Sequence, residues 1–557
     1  MINKKTIHKN TNGRRILLSS ILCLFGFCLV AQVQPRRNGA QPAKSKVYLL
    51  HADVLKKSKD NPDPNAQILV GDVSFRHDSI YMYCDSACFY EKTNSLEAFH
   101  NVKMVQGDTL FLYGDYLFYD GNAQIAQVRN NVRMENRTTT LTTDSLNYDR
   151  VANLGYFFDG GTLMDEENVL TSDWGEYSPQ TKESVFNYEV KLVNPKFVLS
   201  SDTLRYNTAT KIASIVGPSD IDSDETHIYS ELGYYYTQQG QAELLNRSVL
   251  TNEGKNLTGD SLFYDRNKGV GEAYYNVEFV DTIGKNMLTG GYCYYNQLTS
   301  YAFATDKAMA VDFSQGDSLF IHADTLQMYT FDFNTDSVHR EARAFHKVRF
   351  YRSDIQGVCD SLVFASKDSC LTMYRDPILW NKNQQLLGEE IMVYMNDSTI
   401  DWAHIDNQAL SVARIDSVHY NQVSGKEMKA FFKDGDMRQV DVNSSVRLVY
   451  YPMEEKDSTL IGMNISETSE LKMFLENHKL KKIVMSPKTN GTLYPMSQIP
   501  SDKMKLDNFV WFDYIRPQNK EDIFHWRGKG AGQELKKSTR GAAPLPNQKL
   551  FDNNKKK

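Results

Sequence analysis

The chain has 557 residues, 41% hydrophobic and 24% charged, with 32 tyrosines, 28 phenylalanines and a formal charge of −6. No basic stripe runs through it, which argues against nucleic acid as a partner. Its seven cysteines are scattered and lack metal-ligand spacing, so no zinc or cluster site is expected, and no cofactor.

Residues 1–31 read as a secretory signal. Lys4, Lys5, Lys9, Arg14 and Arg15 precede the apolar run 16–30, and Ala31 offers a small residue for cleavage. That run is short for a bilayer span, which needs ~20 residues. A lipidation motif fails because Cys23 follows Leu22 and Cys28 follows Phe27, where a small residue belongs. An uncleaved anchor is the alternative. Five of the 63 basic and none of the 69 acidic residues lie in this segment, so its removal leaves 58 against 69, a charge of −11. Residues 32–46 form a polar linker.

From residue 47 to 432 the chain repeats itself. Asp144-Ser145-Leu146-Asn147-Tyr148-Asp149, Asp202-Thr203-Leu204-Arg205-Tyr206 and Asp260-Ser261-Leu262-Phe263-Tyr264-Asp265 are its clearest phrase. Looser copies hold Leu117 with Tyr119, Leu326 with Tyr329, and Leu362 with Phe364. The leading acid recurs at 85, 115, 144, 173, 202, 231 and 260, steps of 29 or 30 residues, and a fixed period of this size marks a repeat architecture. Between these phrases lies a second one: Val102-Lys103-Met104, Val132-Arg133-Met134, Val190-Lys191-Leu192, Val277-Glu278-Phe279 and Val348-Arg349-Phe350. Both alternate with period two, so each is a strand with one dry and one wet face. The dry face gives the candidate interior lining: Leu117, Tyr119, Met134, Leu146, Tyr148, Leu192, Leu204, Tyr206, Leu262, Tyr264, Phe279, Leu326, Phe350, Leu362 and Phe364. The leading Asp is expected to cap the corner between strands. The expected fold is all-β, an elongated stack of ~29-residue repeats.

The first repeat carries a polar insertion, residues 56–65, and the spacing stretches between Val277, Val311 and Val348, which predicts longer loops on one side of the stack. Residues 433–527 are expected to form a smaller β-rich module. Strands are predicted at 446–451, 471–475 and 482–485, with a turn at 476–479 and a helix over 467–480 as the alternative; 509–512 and 515–517 follow. Residues 528–557 form a Lys-, Gly- and Pro-rich tail expected to be disordered.

Catalytic and metal motifs are missing. Asp220-Ile221-Asp222-Ser223-Asp224 resembles the start of a calcium loop, but Glu225 stands where glycine is required. The acids recur evenly rather than clustering at one point, which argues for a scaffold and against a polysaccharide-cleaving β-helix, so no enzyme activity is expected. Cys84, Cys88, Cys293, Cys359 and Cys370 read as buried free thiols, with a Cys359–Cys370 bridge conceivable.

The alternation of Asn101-Val102, Asn131-Val132 and Asn276-Val277 with the Asp-Ser-Leu-x-Tyr-Asp phrase resembles the OstA-like family, which includes the periplasmic bridge protein of lipopolysaccharide export and the N-terminal domain of its outer-membrane translocon. The resemblance implies a V-shaped β-jellyroll, open along one edge, that shields lipid A acyl chains across the periplasm. It implies edge-strand pairing with related transport proteins, including a translocon, and a periplasmic place near the outer membrane. This chain has more repeats than a bridge protein and lacks barrel strands after them. Lys103, Arg133, Lys191 and Arg349 could meet lipid phosphates, or be plain solvated charge. The competing expectation is a structural or adhesive β-solenoid whose core is filled by its own side chains.

Overall fold

The computed structural model describes residues 45–56, 66–314, 316–332, 335–396, 399–433, 436–454, 459–476 and 479–530. The expected signal segment, the linker up to residue 44, the insertion from residue 57 to 65 and the tail beyond residue 530 lie outside the described residues. Strands make up nearly all of the rest; four single-turn 3-10 segments follow Pro495. Among the described residues no helix is long and apolar enough to cross a membrane.

Two short strands, β1 (Tyr48–His51) and β2 (Val54–Lys56), pair with β3 (Gln67–His77). From β3 the chain is a continuous antiparallel meander: β4 (Ile80–Tyr90), β5 (Ser95–Gln106), β6 (Leu110–Asp120), β7 (Ile125–Asn136) and β8 (Thr139–Asp149) each pair with the next. The same pairing runs on to the strands Gly462–Glu476 and Lys479–Ser486. Each sequence period is therefore a hairpin of two strands.

Every one of these hairpins is bent in the middle. In the β5–β6 ladder Phe99 faces Tyr116 and Val102 faces Gly114, so His100 and Asn101 together oppose Asp115. Both bulge residues are left-handed, with φ of 61° and 50°. The same doublet recurs at Asn130-Asn131, Tyr188-Glu189, Tyr275-Asn276, His346-Lys347, Asn407-Gln408 and Ser444-Ser445. Left-handed backbone costs a non-glycine residue about 1 kcal/mol or more, so the corner needs compensation. The leading acid supplies it. Asn101 donates its side-chain amide to Asp85 at 2.8 Å, Asn131 to Asp115 at 2.6 Å and Asn276 to Asp260 at 2.7 Å.

The closing acid of the motif has a different task. Asp120 Oδ1 accepts from the backbone N–H groups of Asn122 and Ala123, Asp149 Oδ1 from Ala152, and Asp265 Oδ1 from Lys268. It thus starts the four-residue turn to the next strand, as Asp side chains do. The calcium-like run resolves as ordinary strand: Asp220 and Asp222 both point outward and bracket His227 on the neighbouring strand, at 3.3 and 2.8 Å. Cys84, Cys88, Cys293, Cys359 and Cys370 are all free thiols.

Each bend divides the ladder into two facing flanks. The tyrosine flank holds the Leu-x-Tyr halves, and the valine flank holds the Val-x-apolar halves. Inward side chains of both flanks merge into one core that runs from Val47 to Leu471. The extra residues near 281–345 extend turns at both flanks, not one. Residues 282–285 and 313–318 join valine-flank strands, whereas 332–338 join tyrosine-flank strands.

Beyond residue 432 the strand Asp436–Tyr450 pairs with Tyr420–Lys433 on one side and Gly462–Glu476 on the other, with the same central register shift as earlier strands. Residues 467–476 are strand, so the helical alternative does not hold. Residues 509–512 and 515–517 are not strands; they belong to a strap, residues 496–530, that crosses back over the outer face of the valine flank. Buried outward glutamines hold it. Gln385 donates to the Val510 carbonyl and accepts from the Phe512 N–H, and Gln422 does the same for Met504 and Leu506. Phe512 and Ile515 cover Val358, Ile378, Trp380, Leu387, Leu410 and Val412, so this part of the valine flank is buried on both faces.

Replacing Gln385 by Ala leaves two strap backbone groups without their partner, an expected cost of about 2–3 kcal/mol. Urea unfolding should show that loss together with increased binding of a hydrophobic dye, as the strap lifts from Trp380. Unchanged stability and dye binding would mean the strap is held by its apolar contacts alone.

Candidate functional site: the interior strip and its rims

The expected lining residues are brought together. Leu117, Tyr119, Met134, Leu146, Tyr148, Leu192, Leu204, Tyr206, Leu262, Tyr264, Phe279, Leu326, Phe350 and Leu362 all point into the core at 4% exposure or less. Phe364 is half-buried in the strand Ile355–Ala365. The interior of the first two thirds of the stack is thus closed over its own side chains.

The tyrosines have a specific setting. From Tyr148 onward each lies opposite a small residue on both neighbouring strands: Tyr148 between Ala126 and Gly155, Tyr206 between Ser184 and Ala213, and Tyr264 between Ala242 and Gly271; Tyr119 lies between Leu96 and Ala126. Large and small residues that alternate along one face let the rings interdigitate. The ring can then lie across the strip and carry its hydroxyl to the opposite rim.

There the hydroxyls find partners. Tyr119 Oη lies 2.6 Å from His77 Nδ1 at the end of β3, Tyr148 Oη donates to Gln106 at the end of β5, and Tyr177 Oη accepts from Asn136 at the end of β7. Tyr206 Oη donates to Asp165 at 2.8 Å and accepts from Asn168 at 2.9 Å. Tyr264 Oη reaches Thr226, and Lys255 donates to Tyr295. Turn residues of the tyrosine flank add bonds of the same sense. Arg150 donates to Tyr119, and Lys211 Nζ sits 2.7 Å from both Asp165 oxygens in a pair that is almost wholly buried.

Burial pushes the phenols of Tyr148 and Tyr235 up to about 12 and raises those of Tyr119, Tyr206 and Tyr264. The Asp165 carboxylate adds to the rise at Tyr206.

The track changes after Tyr295. In the same position of later repeats stand Met328, Phe364, Val393, Ala430 and Met473, none of which carries a hydroxyl. Several inward side chains there are only partly buried, among them Ile321, Met328, Ile400, Phe432, Met437 and Met473, while others such as Leu326, Ile391, Val393 and Ala430 stay buried. A small apolar cavity of about 30 Å³ lies between Ile355, Leu379, Leu386, Val393, Phe432 and Met437.

A wider concavity, about 850 Å³, is elsewhere, on the outer side of the corners at Lys103, Tyr113, Asp115, Arg133 and Asp144. Arg133 stacks its guanidinium 4.6 Å from the Tyr113 ring centre, and both Arg133 and Lys191 are exposed. Arg349 departs from this pattern. It is buried beneath the strap, donating to the Ile523 carbonyl and lying over the Trp526 ring, and so is neither solvated charge nor an open phosphate contact. Among the described residues no group of three or more His, Cys, Asp or Glu side chains is arranged to hold a metal ion.

Residues 44–202 match the OstA-like protein family. The resemblance carried by the repeats is borne out over that stretch. The match ends within the strand Phe197–Asn207, while the bent hairpins continue far beyond it. Among solved structures, LptH, the LptA-homologous periplasmic component of the lipopolysaccharide transport device of Pseudomonas aeruginosa, aligns at 15% identity over 21% of this chain and 98% of its own, with a TM-score of 0.20. No curated protein matches the chain.

The rim partners were beyond the reach of the motif alone. The signal that finds them is the small residue, Ala126, Gly155, Ser184, Ala213, Ala242 and Gly271, at steps of 29 residues in register with the tyrosines.

Two outcomes follow. Lys211→Met strands a buried carboxylate, and the expected loss is about 3–5 kcal/mol, whereas Asp165→Leu combined with Lys211→Met should restore most of it; thermal melts of the two variants decide. Raised phenol pKa values favour the folded state below the unfolded value of 10 and lose that contribution as pH climbs towards about 12. Stability should therefore be flat with respect to these groups below pH 10 and fall above it, with a late tyrosinate absorbance wave coinciding with unfolding. A single wave complete before unfolding would contradict the burial.

Proposed function

We propose that the chain is a non-enzymatic carrier in lipopolysaccharide transport and outer-membrane assembly, working in the periplasm and shielding lipid A acyl chains inside its β-jellyroll interior. The observation that carries this reading is the continuous inward apolar strip, in which partly buried side chains such as Met328, Phe432 and Met473 join the fully buried ones after Tyr295. Water removed from partly exposed Ile321, Met328, Phe432 and Met473 returns ~25 cal/mol per Å², and an acyl chain laid there gains ~0.8 kcal/mol per CH₂. No catalytic group is needed for such a task. The OstA-like match over residues 44–202 supports the same direction.

In this reading Met328, Phe364, Phe432 and Met473 meet the acyl chains directly. The expected lining Leu117, Tyr119, Met134, Leu146, Tyr148, Leu192, Leu204, Tyr206, Leu262, Tyr264 and Phe279 joins them only where the rims part, with Leu326, Phe350 and Leu362 lying beneath the accessible section. Partners are lipopolysaccharide and other jellyroll transport proteins, including an outer-membrane translocon, joined through the edge strands. A structural solenoid without cargo is the second reading, and the self-filled interior between Val73 and Tyr295 is what favours it.

Photocrosslinking residues placed in cells at Met328, Phe432 and Met473 separate the two. The carrier reading expects lipopolysaccharide adducts there, weaker ones at Tyr148 and Tyr206, and none at Lys103 or Arg133. A folded protein with no adduct at any inward position would leave the structural reading standing alone.

A further inference from the structure

We propose that the tyrosines from Tyr119 to Tyr295 form a zipper that locks the two flanks together, so that access to the interior is set by rim-to-rim hydrogen bonds and not by core packing alone. Consecutive repeats each contribute one ring at Tyr119, Tyr148, Tyr177, Tyr206, Tyr235, Tyr264 and Tyr295. The hydroxyls of Tyr119, Tyr148, Tyr177, Tyr206 and Tyr264 bond residues at the far ends of valine-flank strands, His77, Gln106, Asn136, Asp165 and Thr226, whereas Tyr235 accepts from Arg266 in a turn of its own flank. These partners lie about 40 residues away in sequence but directly across the strip. Phe89 before the series and Met328 after it occupy the same inward track without a hydroxyl.

Chemistry explains why tyrosine suits the task. Its ring belongs to the dry strip and its hydroxyl to the polar rim, so one side chain satisfies both. A phenylalanine would fill the same space and leave Asp165, Asn168 or Lys255 short of one partner. Lys211–Asp165 is the central clamp, because its charges are hidden from water and each needs the other. At the other end, Lys255 spans the rims to reach both the Tyr295 hydroxyl and Ser300 Oγ, at 3.3 and 3.2 Å.

The carrier reading bears only on what a parted zipper would admit. The zipper itself is tested without lipid. Cys293 is a native free thiol, fully buried and inward-facing, two residues before Tyr295; Cys359 faces inward in the section beyond the zipper. Site-resolved labelling of both thiols by a maleimide, read by mass spectrometry on the folded full chain, reports local opening at each position. Tyr295→Phe removes only the hydroxyl, and Lys255→Met removes its rim partner, together with the Ser300 bond, while every ring stays in place. Each should raise Cys293 labelling about tenfold and leave Cys359 unchanged, since one lost hydrogen bond is worth roughly that factor. Unchanged Cys293 labelling in both variants would overturn the zipper, because closure would then rest on packing. So would an equal rise at Cys293 and Cys359, which would report general loosening.

Discussion

The doublet of left-handed residues at the centre of every second strand is the constraint on which the rest depends. Without it the meander would be a flat two-sided sheet with one face exposed along its whole length. With it each strand folds back over itself, and two inward faces meet. The bulge is unfavourable for residues such as His100, Asn130 and Tyr188. Where the second bulge residue is Asn, the opposing acid takes its amide, as Asp85 does for Asn101, Asp115 for Asn131 and Asp260 for Asn276. The two acids of the repeated phrase therefore bracket the two apolar residues for a mechanical reason. One acid secures the bend, the other starts the next turn, and Leu and Tyr between them are left no direction but inward.

The inward placement of Leu and Tyr was legible in the sequence because period-two alternation and a fixed repeat both project directly onto strand faces, whereas the separate tasks of the two acids were not. Leu146, Leu204 and Leu262 could be placed inside from their spacing alone. What could not be read were features set by contacts between distant repeats. The reach of Tyr206 to Asp165 depends on how far apart the flanks sit, and the local motif does not encode that distance. Gln385 and Gln422 look like ordinary polar positions on a wet face. Their burial appears only once the chain beyond Pro495 returns across them. Arg349 sits in a phrase shared with exposed Arg133, yet the same strap covers it. The helical alternative over 467–480 failed for a related reason: apolar residues at 471, 474 and 475 fit either period, and pairing with the strand Asp436–Tyr450 decided for extended backbone.

Under the proposed carrier role, the graded interior has energetic consequences. Between Tyr119 and Tyr295 the strip is already dry, so an acyl chain entering there replaces one apolar contact by another and gains little from the hydrophobic effect. It must also displace hydrogen bonds worth ~1 kcal/mol net each. Beyond Tyr295 some inward side chains, Met328, Phe432 and Met473 among them, still touch water, and covering them is favourable. A cargo therefore meets a low-cost section and a high-cost section in one continuous strip. The strap sits behind the low-cost section, where it gives the valine flank a second buried face and stiffens the wall against which a chain would lie.

Hydrogen–deuterium exchange of the full chain, with and without lipopolysaccharide, tests the central claim most directly. The account predicts slowed exchange confined to the strands Thr325–Phe331, Glu390–Asn396, Tyr420–Lys433 and Gly462–Glu476, with the zippered strands before Tyr295 already slow and little changed. Protection that is absent, or that falls on the outer corners near Lys103 and Arg133, would contradict it.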